Sequence, residues 1–324
     1  MAPIVKDNCI FLNDGHRMPL LGLGCSRSVA DEVEKAIEFA FDCGYRHIDT
    51  AYNYKNEEEV GRGIKNWLKK TGSKREDLFI VTKLPMIGMY QGGVEKFLRM
   101  SLKKLGLGYV DLYLVHTPIG LKGKNDDDTF PVDENGKFVA DDSTDLIAIW
   151  KEMEKMVDLG LTKSIGVSNF SIKQMRKIKA IAQIPPAVNQ VEMNATFQQK
   201  ELLEFCREND IVVTAYAPLG SPGKTTVLSK TTHGNPAAWQ LLQNPVVKLI
   251  SDKHNVSPAQ VLLRYLIEKE VVVIPKSVNP ERIKTNGDVF SFSLDETDKA
   301  ALLLLDLGDE GRSYCFSSCP GKQR

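Results

Sequence analysis

Asp49 follows "RHI", Lys83 follows "FIVT", and His116 follows "VDLYLV". Ser168 and Asn169 follow "SIGV", Gln190 stands within "AVNQVEMN", Tyr216 follows "IVVTA", and Lys276 with Ser277 follows "VVVIP". Each alone has an ordinary structural reading, a solvated strand end or a satisfied core histidine. Together they place a polar or ionisable group at nearly every apolar run. In "FIVTK", Phe79, Val81 and Lys83 share one face of an extended chain, and in "VDLYLVH" Val110, Leu112, Leu114 and His116 do the same. Lys83 and His116 thus cap faces that are otherwise apolar. An ammonium there needs a carboxylate, because an unpaired buried charge is costly, and Asp49 on the neighbouring strand can supply it. Beyond Asp49 lies "TAYNYKNEEEVG", where Tyr54 is placed to act as a general acid, its phenol drawn down toward the working range by the nearby ammonium. Tyr52 is as apt to pack. With His116 across from it, a donor phenol could hold a carbonyl oxygen and stabilise developing alkoxide charge. That is the chemistry of carbonyl reduction, with hydride taken from a cofactor.

These groups need a frame that points them at one place. Short runs rich in β-branched residues occupy 20–24, 47–51, 79–83, 110–116, 164–168, 187–193, 211–216 and 271–275, and segments of helical period lie between them. "DEVEKAIEFAF" from Asp31 and "SPAQVLLRYLI" from Ser257 are examples, the second opened by a Ser cap with Pro at the first helical position. Eight strand-then-helix units in 324 residues predict an α/β fold, a (β/α)8 TIM barrel forming a single domain over 1–324, with its chemistry at the C-terminal strand ends. "IFLNDGHRMPL" reads as a hairpin around Asn13-Asp14-Gly15 that could plug the barrel floor. The connections 118–144 and 218–236 are longer than a barrel requires and rise from the catalytic face, as lids or binding loops do.

Composition narrows the partners. Lys and Arg total 42 and Asp and Glu total 42, so no overall field favours nucleic acid or an acidic membrane surface. No apolar run is long enough to span a bilayer and the N-terminus lacks a leader pattern, so a cytoplasmic protein is expected. The six cysteines, Cys9, Cys25, Cys43, Cys206, Cys315 and Cys319, have no metal-ligand spacing, so reduced thiols and no metal site are expected.

A dinucleotide would have to be held without the usual fingerprints. Gly22-Leu23-Gly24-Cys25-Ser26-Arg27 lacks the third glycine of a Rossmann turn, and no Walker A sequence occurs. In "IPKSVNPERIKTN", Asn279 caps a helix with Pro280 at its first position and Arg282 in its first turn, where a cation opposes the helix dipole unless an anion is bound. Lys276, Ser277, Asn279 and Arg282, with Asn286 at the end of the segment, form a candidate phosphate site, and two cations favour a cofactor with an extra 2′-phosphate. "APLGSPGK", containing Leu219 and Ser221, could wrap a pyrophosphate, and Tyr216 could stack on a nicotinamide ring.

Over nearly its whole length the chain closely resembles the aldo-keto reductases. "GYRHIDTAYNYKNEEEVG" (44–61) is similar to the first signature of that family and "IPKSVNPERIKTN" (274–286) to its cofactor signature, with "VDLYLVH", "SIGVSNF" and "NQVE" in the family's order between them. The resemblance implies NADPH, a small-molecule carbonyl substrate, and a tetrad of Asp49, Tyr54, Lys83 and His116 with Tyr54 as proton donor. It implies as well that Ser168, Asn169 and Gln190 hold the nicotinamide carboxamide and that Tyr216 stacks on the ring. A monomer is expected. Where many members have Thr-Trp after "LGLG", Cys25-Ser26 stand here, "KLW" is Lys83-Leu84-Pro85, and "HWP" is His116-Thr117-Pro118. Ser26, Pro85 and Thr117 thus occupy positions that often carry pocket tryptophans, and the ketosteroid-reducing members of the family also lack some of these rings. A widened pocket for a bulky steroid-like or terpenoid ketone is expected. The alternatives are a general small-aldehyde reductase and a cofactor-binding regulatory or structural protein of the same fold. "VEMNATF" replaces the frequent "VECHPYL", and the tail "YCFSSCPGKQR" is shorter than in many members, whose tails help close the substrate site.

Overall fold

A computed structural model describes residues 5–222 and 240–314. After a small antiparallel sheet of β1 (Val5–Lys6), β2 (Cys9–Phe11) and β3 (Arg17–Pro19), the eight apolar runs form one parallel sheet whose neighbours follow chain order: β4 (Leu23–Gly24), β5 (His47–Asp49), β6 (Phe79–Leu84), β7 (Val110–Val115), β8 (Thr162–Ser168), β9 (Val188–Glu192), β10 (Val212–Tyr216) and β11 (Val272–Val273). The sheet closes on itself. Leu21 bridges Val273 and Gly24 bridges Lys276 in parallel, and the Gly24 amide donates to the Pro275 carbonyl at 3.2 Å. The predicted run 271–275 narrows to two ladder residues because Pro275 has no N–H to continue the pairing. At Gly24 a Cβ would stand 2.8 Å from the Ile274 carbonyl oxygen, so a side chain there would push the closing strands apart.

Helices follow the strands because their sequences carry both a buried stripe and proper ends. The helix Glu57–Thr71 opens with three acidic residues, closes with Lys69 and Lys70, and stops at Gly72, whose φ of 72° suits a residue without a Cβ. Pro258–Ile267 is closed at its start by the Ser257–Gln260 capping box. Asn13-Asp14-Gly15 turns the hairpin of Cys9–Phe11 and Arg17–Pro19, with Gly15 at φ 85°. That hairpin lies under the barrel: Asn13 Nδ2 donates to the Pro186 carbonyl at 3.0 Å, His16 Nδ1 is 3.3 Å from Ser164 Oγ, and Ile10 and Met18 are fully buried.

The connection 118–144 is folded rather than loose. Leu121 bridges Ala140 and Val132 bridges Phe138, while Tyr52 and Lys55 donate to the carbonyls of Asp126 and Asp127 and anchor it to the loop after β5. The connection 218–236 lies outside the described residues from 223 onward, as do Cys315, Cys319 and the tail beyond Tyr314. Cys9, Cys25, Cys43 and Cys206 are free thiols. No helix among the described residues is long and apolar enough to cross a membrane.

Candidate active site

Strand alternation sends Lys83 inward at the end of β6, and the side chain is wholly enclosed. Its ammonium donates to Asp49 Oδ1 at 2.6 Å and to the Thr50 carbonyl at 2.8 Å. The second Asp49 oxygen accepts from Gln190 Nε2 at 2.7 Å. The buried pair is therefore satisfied at both ends, which such a pair requires. Behind it, the Thr50 hydroxyl donates to Asn56 Oδ1 and Asn56 Nδ2 donates to the Cys25 carbonyl, tying the loop after β5 to the end of β4.

Tyr54 lies over this pair, with Lys83 Nζ 5.1 Å from its ring centre and the His116 ring edge-on at 5.8 Å. The expected lowering of the phenol does not occur. Burial holds Tyr54 well above the usual tyrosine range, and the Asp49 carboxylate adds to it, whereas a hydrogen bond from the Ser26 side chain works the other way. The reason is that Asp49 neutralises the ammonium at contact distance, leaving desolvation to dominate. Burial, and then the Lys83 charge, push His116 down to about 3, so its imidazole is neutral near pH 7. Its Nδ1 is buried with no hydrogen-bond partner among the described residues.

At the end of β8, Asn169 adopts φ 64°, a left-handed conformation that Asn tolerates better than most residues. Its Nδ2 donates to the His116 carbonyl at 3.0 Å and to Ser168 Oγ at 3.1 Å, and its Oδ1 accepts from the Tyr216 hydroxyl at 2.8 Å. Ser168, Asn169, Gln190 and Tyr216 thus converge on one wall. Lys276 and Arg282 are exposed, Asn279 Oδ1 accepts from the Arg282 amide, and Asn286 is buried beside them.

One cavity of about 2670 Å³ is lined by Tyr54, His116, Ser168, Asn169, Gln190 and Tyr216 at one end and by Lys276, Ser277, Asn279, Arg282 and Asn286 at the other. Leu219 and Ser221 line it too, as do Ser26 and Thr117. It exceeds the roughly 300–1,000 Å³ of a single small-ligand pocket, leaving room for a dinucleotide as well as a substrate. Pro85 is not among the lining residues. It is buried at the start of the turn Met86–Gly88, and Met86 forms the wall in its place.

Several contributors escaped the sequence reading. Phe130 and Phe138, 6.4 Å apart in the folded 118–144 connection, line the cavity with Ile119. Glu192, two residues beyond Gln190 on the same face of β9, accepts the amides of Ser313 and Tyr314 at 2.5 and 3.1 Å. It thereby docks Tyr314 against Tyr216, with their rings edge to face at 5.8 Å. The "NQVE" spacing was the available signal, since i and i+2 share a face.

Comparison with known proteins identifies the family. The model of the aldo/keto reductase family matches residues 20–303, from the approach to β4 through the last helix. The chain is 44% identical over 302 residues to dihydrodiol dehydrogenase 3 of Bos taurus, covering 92% of this chain and 91% of that protein. It is 43% identical to prostaglandin F synthase 1 of Bos taurus with the same coverage. The structure of an aldose reductase from Schistosoma japonicum superposes with a TM-score of 0.88 at 38% identity, over 99% of this chain and 97% of that one. With the fold and the sequence relatives in agreement, the chain belongs to the aldo/keto reductase family and is an oxidoreductase acting on carbonyl compounds.

Proposed function

We propose that this enzyme reduces a ketone with a bulky apolar body, steroid-like or terpenoid, using NADPH, with Tyr54 as proton donor. The observation that carries the reading is the edge-to-face pair of Tyr54 and His116 over the Asp49–Lys83 pair, in the cavity that also reaches Lys276 and Arg282.

The residues at the far end suit a phosphorylated dinucleotide. Lys276 and Arg282 have no carboxylate partner among the described residues, and they stand at the start of the helix Pro280–Gly287, whose dipole adds positive potential. An anion there removes the mutual repulsion, and a 2′-phosphate is the anion that distinguishes NADPH from NADH. Ser168, Asn169 and Gln190 offer the amide and hydroxyl groups that a carboxamide needs. The left-handed backbone at Ala217, Gly220 and Ser221 turns the chain after β10 along the same cavity.

When bound, the reduced nicotinamide supplies the hydride. The neutral His116 ring provides an N–H donor for the carbonyl oxygen, and the Tyr54 phenol, protonated at neutral pH, gives its proton to that oxygen as alkoxide charge develops. The Lys83 ammonium beneath the ring then faces the resulting phenolate. Tyr54→Phe removes only the hydroxyl. We expect kcat to fall by about 10²-fold or more, the scale of general acid catalysis, with NADPH affinity kept. Unchanged turnover would remove Tyr54 from the mechanism.

The wide, partly aromatic wall of Met86, Ile119, Phe130 and Phe138 favours a ring ketone over a small aldehyde, which could not displace the water from it. Relatives named for dihydrodiol dehydrogenation and prostaglandin F synthesis support a substrate of that size.

A further inference from the structure

The cavity mouth carries a cation that neither the barrel nor the tetrad uses. Arg27 lines the cavity one residue after Ser26, the hydrogen-bond partner of the Tyr54 phenol. It sits at φ 59°, a left-handed conformation unfavourable for a residue with a Cβ. Its guanidinium lies over the Tyr314 ring, Cζ 5.6 Å from the centre. That contact takes no N–H donor, and no hydrogen bond from the guanidinium is found among the described residues.

No carboxylate pairs with Arg27 among the described residues. Lys200 and Arg312, which line the same cavity, are matched by Asp306 and Asp309, whereas Lys173 and Lys248, like Lys276 and Arg282, share with Arg27 the lack of a carboxylate partner among the described residues. Sequence closes the remaining route: positions 1–4, 223–239 and 315–324 contain no Asp or Glu. The same cavity is lined by the apolar side chains of Met86, Ile119, Phe130 and Phe138.

We propose that Arg27 binds an anionic group, a carboxylate or sulfate, carried by the carbonyl substrate. The ligand class is then an amphipathic ketone: its carbonyl at Tyr54 and His116, its body against the apolar wall, its anion on the guanidinium fork. This rests on the carbonyl-reduction reading. The phosphates of the dinucleotide are the other source of the same chemistry, so the test must separate the two.

The probes are a ring ketone bearing a carboxylate and its methyl ester, assayed with native enzyme, Arg27→Gln and Arg27→Lys. We expect Arg27→Gln to raise KM for the acid about tenfold or more, with kcat nearly unchanged and the ester unaffected, the loss expected for one charge-assisted pair. Arg27→Lys should recover part of the loss. NADPH affinity, read by quenching of protein fluorescence, should stay within about twofold. Equal losses for acid and ester would overturn the proposal. A fall in NADPH affinity matching the rise in KM would overturn it too, by giving the guanidinium to the cofactor phosphates. If neither probe is turned over by native enzyme, the bulky-ketone reading fails by itself. Calorimetric binding of the acid, with and without NADP+, still decides for or against Arg27, because it requires no turnover.

Discussion

Replacing His47 by Gln tests whether the barrel's response to acid is set by its buried imidazoles. His47 is fully enclosed at the start of β5, under Gly22, where an added Cβ would stand 2.6 Å from its Nδ1. Its Nδ1 is 3.3 Å from the Pro19 carbonyl, its ring is edge-on to Phe79 at 5.3 Å, and its Nε2 is buried without a partner. Burial, outweighing the nearby Asp49 charge, pushes it down to about 4, and His116 falls to about 3 for the same first reason. Both folded-state values lie below the unfolded one. The unfolded chain therefore binds these protons first as pH falls, and stability present above about 6.5 is lost on the way to the folded values. At about 1.36 kcal/mol per unit, each histidine removes about 2 kcal/mol between about pH 7.5 and 5. Gln carries no charge in this range, so His47→Gln should have a shallower dependence by about 2 kcal/mol over that interval, whatever its stability at pH 7.5. Urea unfolding of native protein and variant across the interval measures the difference in slope, and the carboxylates common to both cancel. Parallel curves would refute the reasoning, because they would mean that His47 accepts a proton in place or is already hydrated.

Arg282→Ala should weaken NADPH binding by about 1.5–3 kcal/mol, the range for a hydrogen bond to a charged group, and leave NADH binding nearly unchanged. Equal losses would assign the arginine to the pyrophosphate or to structure. Thr117→Trp should lower kcat/KM for a bulky ring ketone by about tenfold, since overpacking costs about 1–3 kcal/mol, while sparing or improving a small aromatic aldehyde. A parallel fall for both substrates would sink the wide-pocket reading. Ser26→Trp is the poorer probe, because it also deletes the hydrogen bond to Tyr54.

The strand ends were legible because two periodicities agree. Period-2 alternation assigns Lys83 to the apolar face of its run, and the cost of an unpaired buried charge calls for a carboxylate on the next strand, which Asp49 supplies at 2.6 Å. The hairpin could be read from Asn13-Asp14-Gly15, and the helix starts from Ser257-Pro258 and Asn279-Pro280, since turns and caps depend on neighbouring residues. What could not be read depends on distant contacts or on burial. Nothing in "NQVE" says that Glu192 will meet the amides of Ser313 and Tyr314, more than a hundred positions away. Ser26 read as a missing wall, whereas its side chain also acts on the Tyr54 phenol, and Pro85 read as a pocket position although it is buried and does not line the cavity. The charge on Tyr54 went wrong in sign for a related reason. Sequence names the ammonium nearby, but only the folded chain shows that Asp49 has neutralised it and that desolvation is the larger effect.

That reversal bears on how the pH dependence of this enzyme should be interpreted. A phenol held above its ordinary range carries its proton throughout neutral and mildly acid solution, so the donor form of Tyr54 is present without any preparatory step. His116, pushed to about 3, remains neutral over the same span and keeps its donor geometry. Neither group can then produce a fall in turnover between about pH 7 and 5 by changing charge in the ligand-free protein. The groups that do respond are the same buried imidazoles acting through the unfolded state, where their protons are no longer refused. An acid limb in the activity of the native enzyme should therefore move with its stability. It should shift toward lower pH when urea is lowered, and stay fixed in Tyr54→Phe. An acid limb that instead tracks the identity of residue 54 would assign it to the proton donor and contradict the electrostatic order inferred for the site.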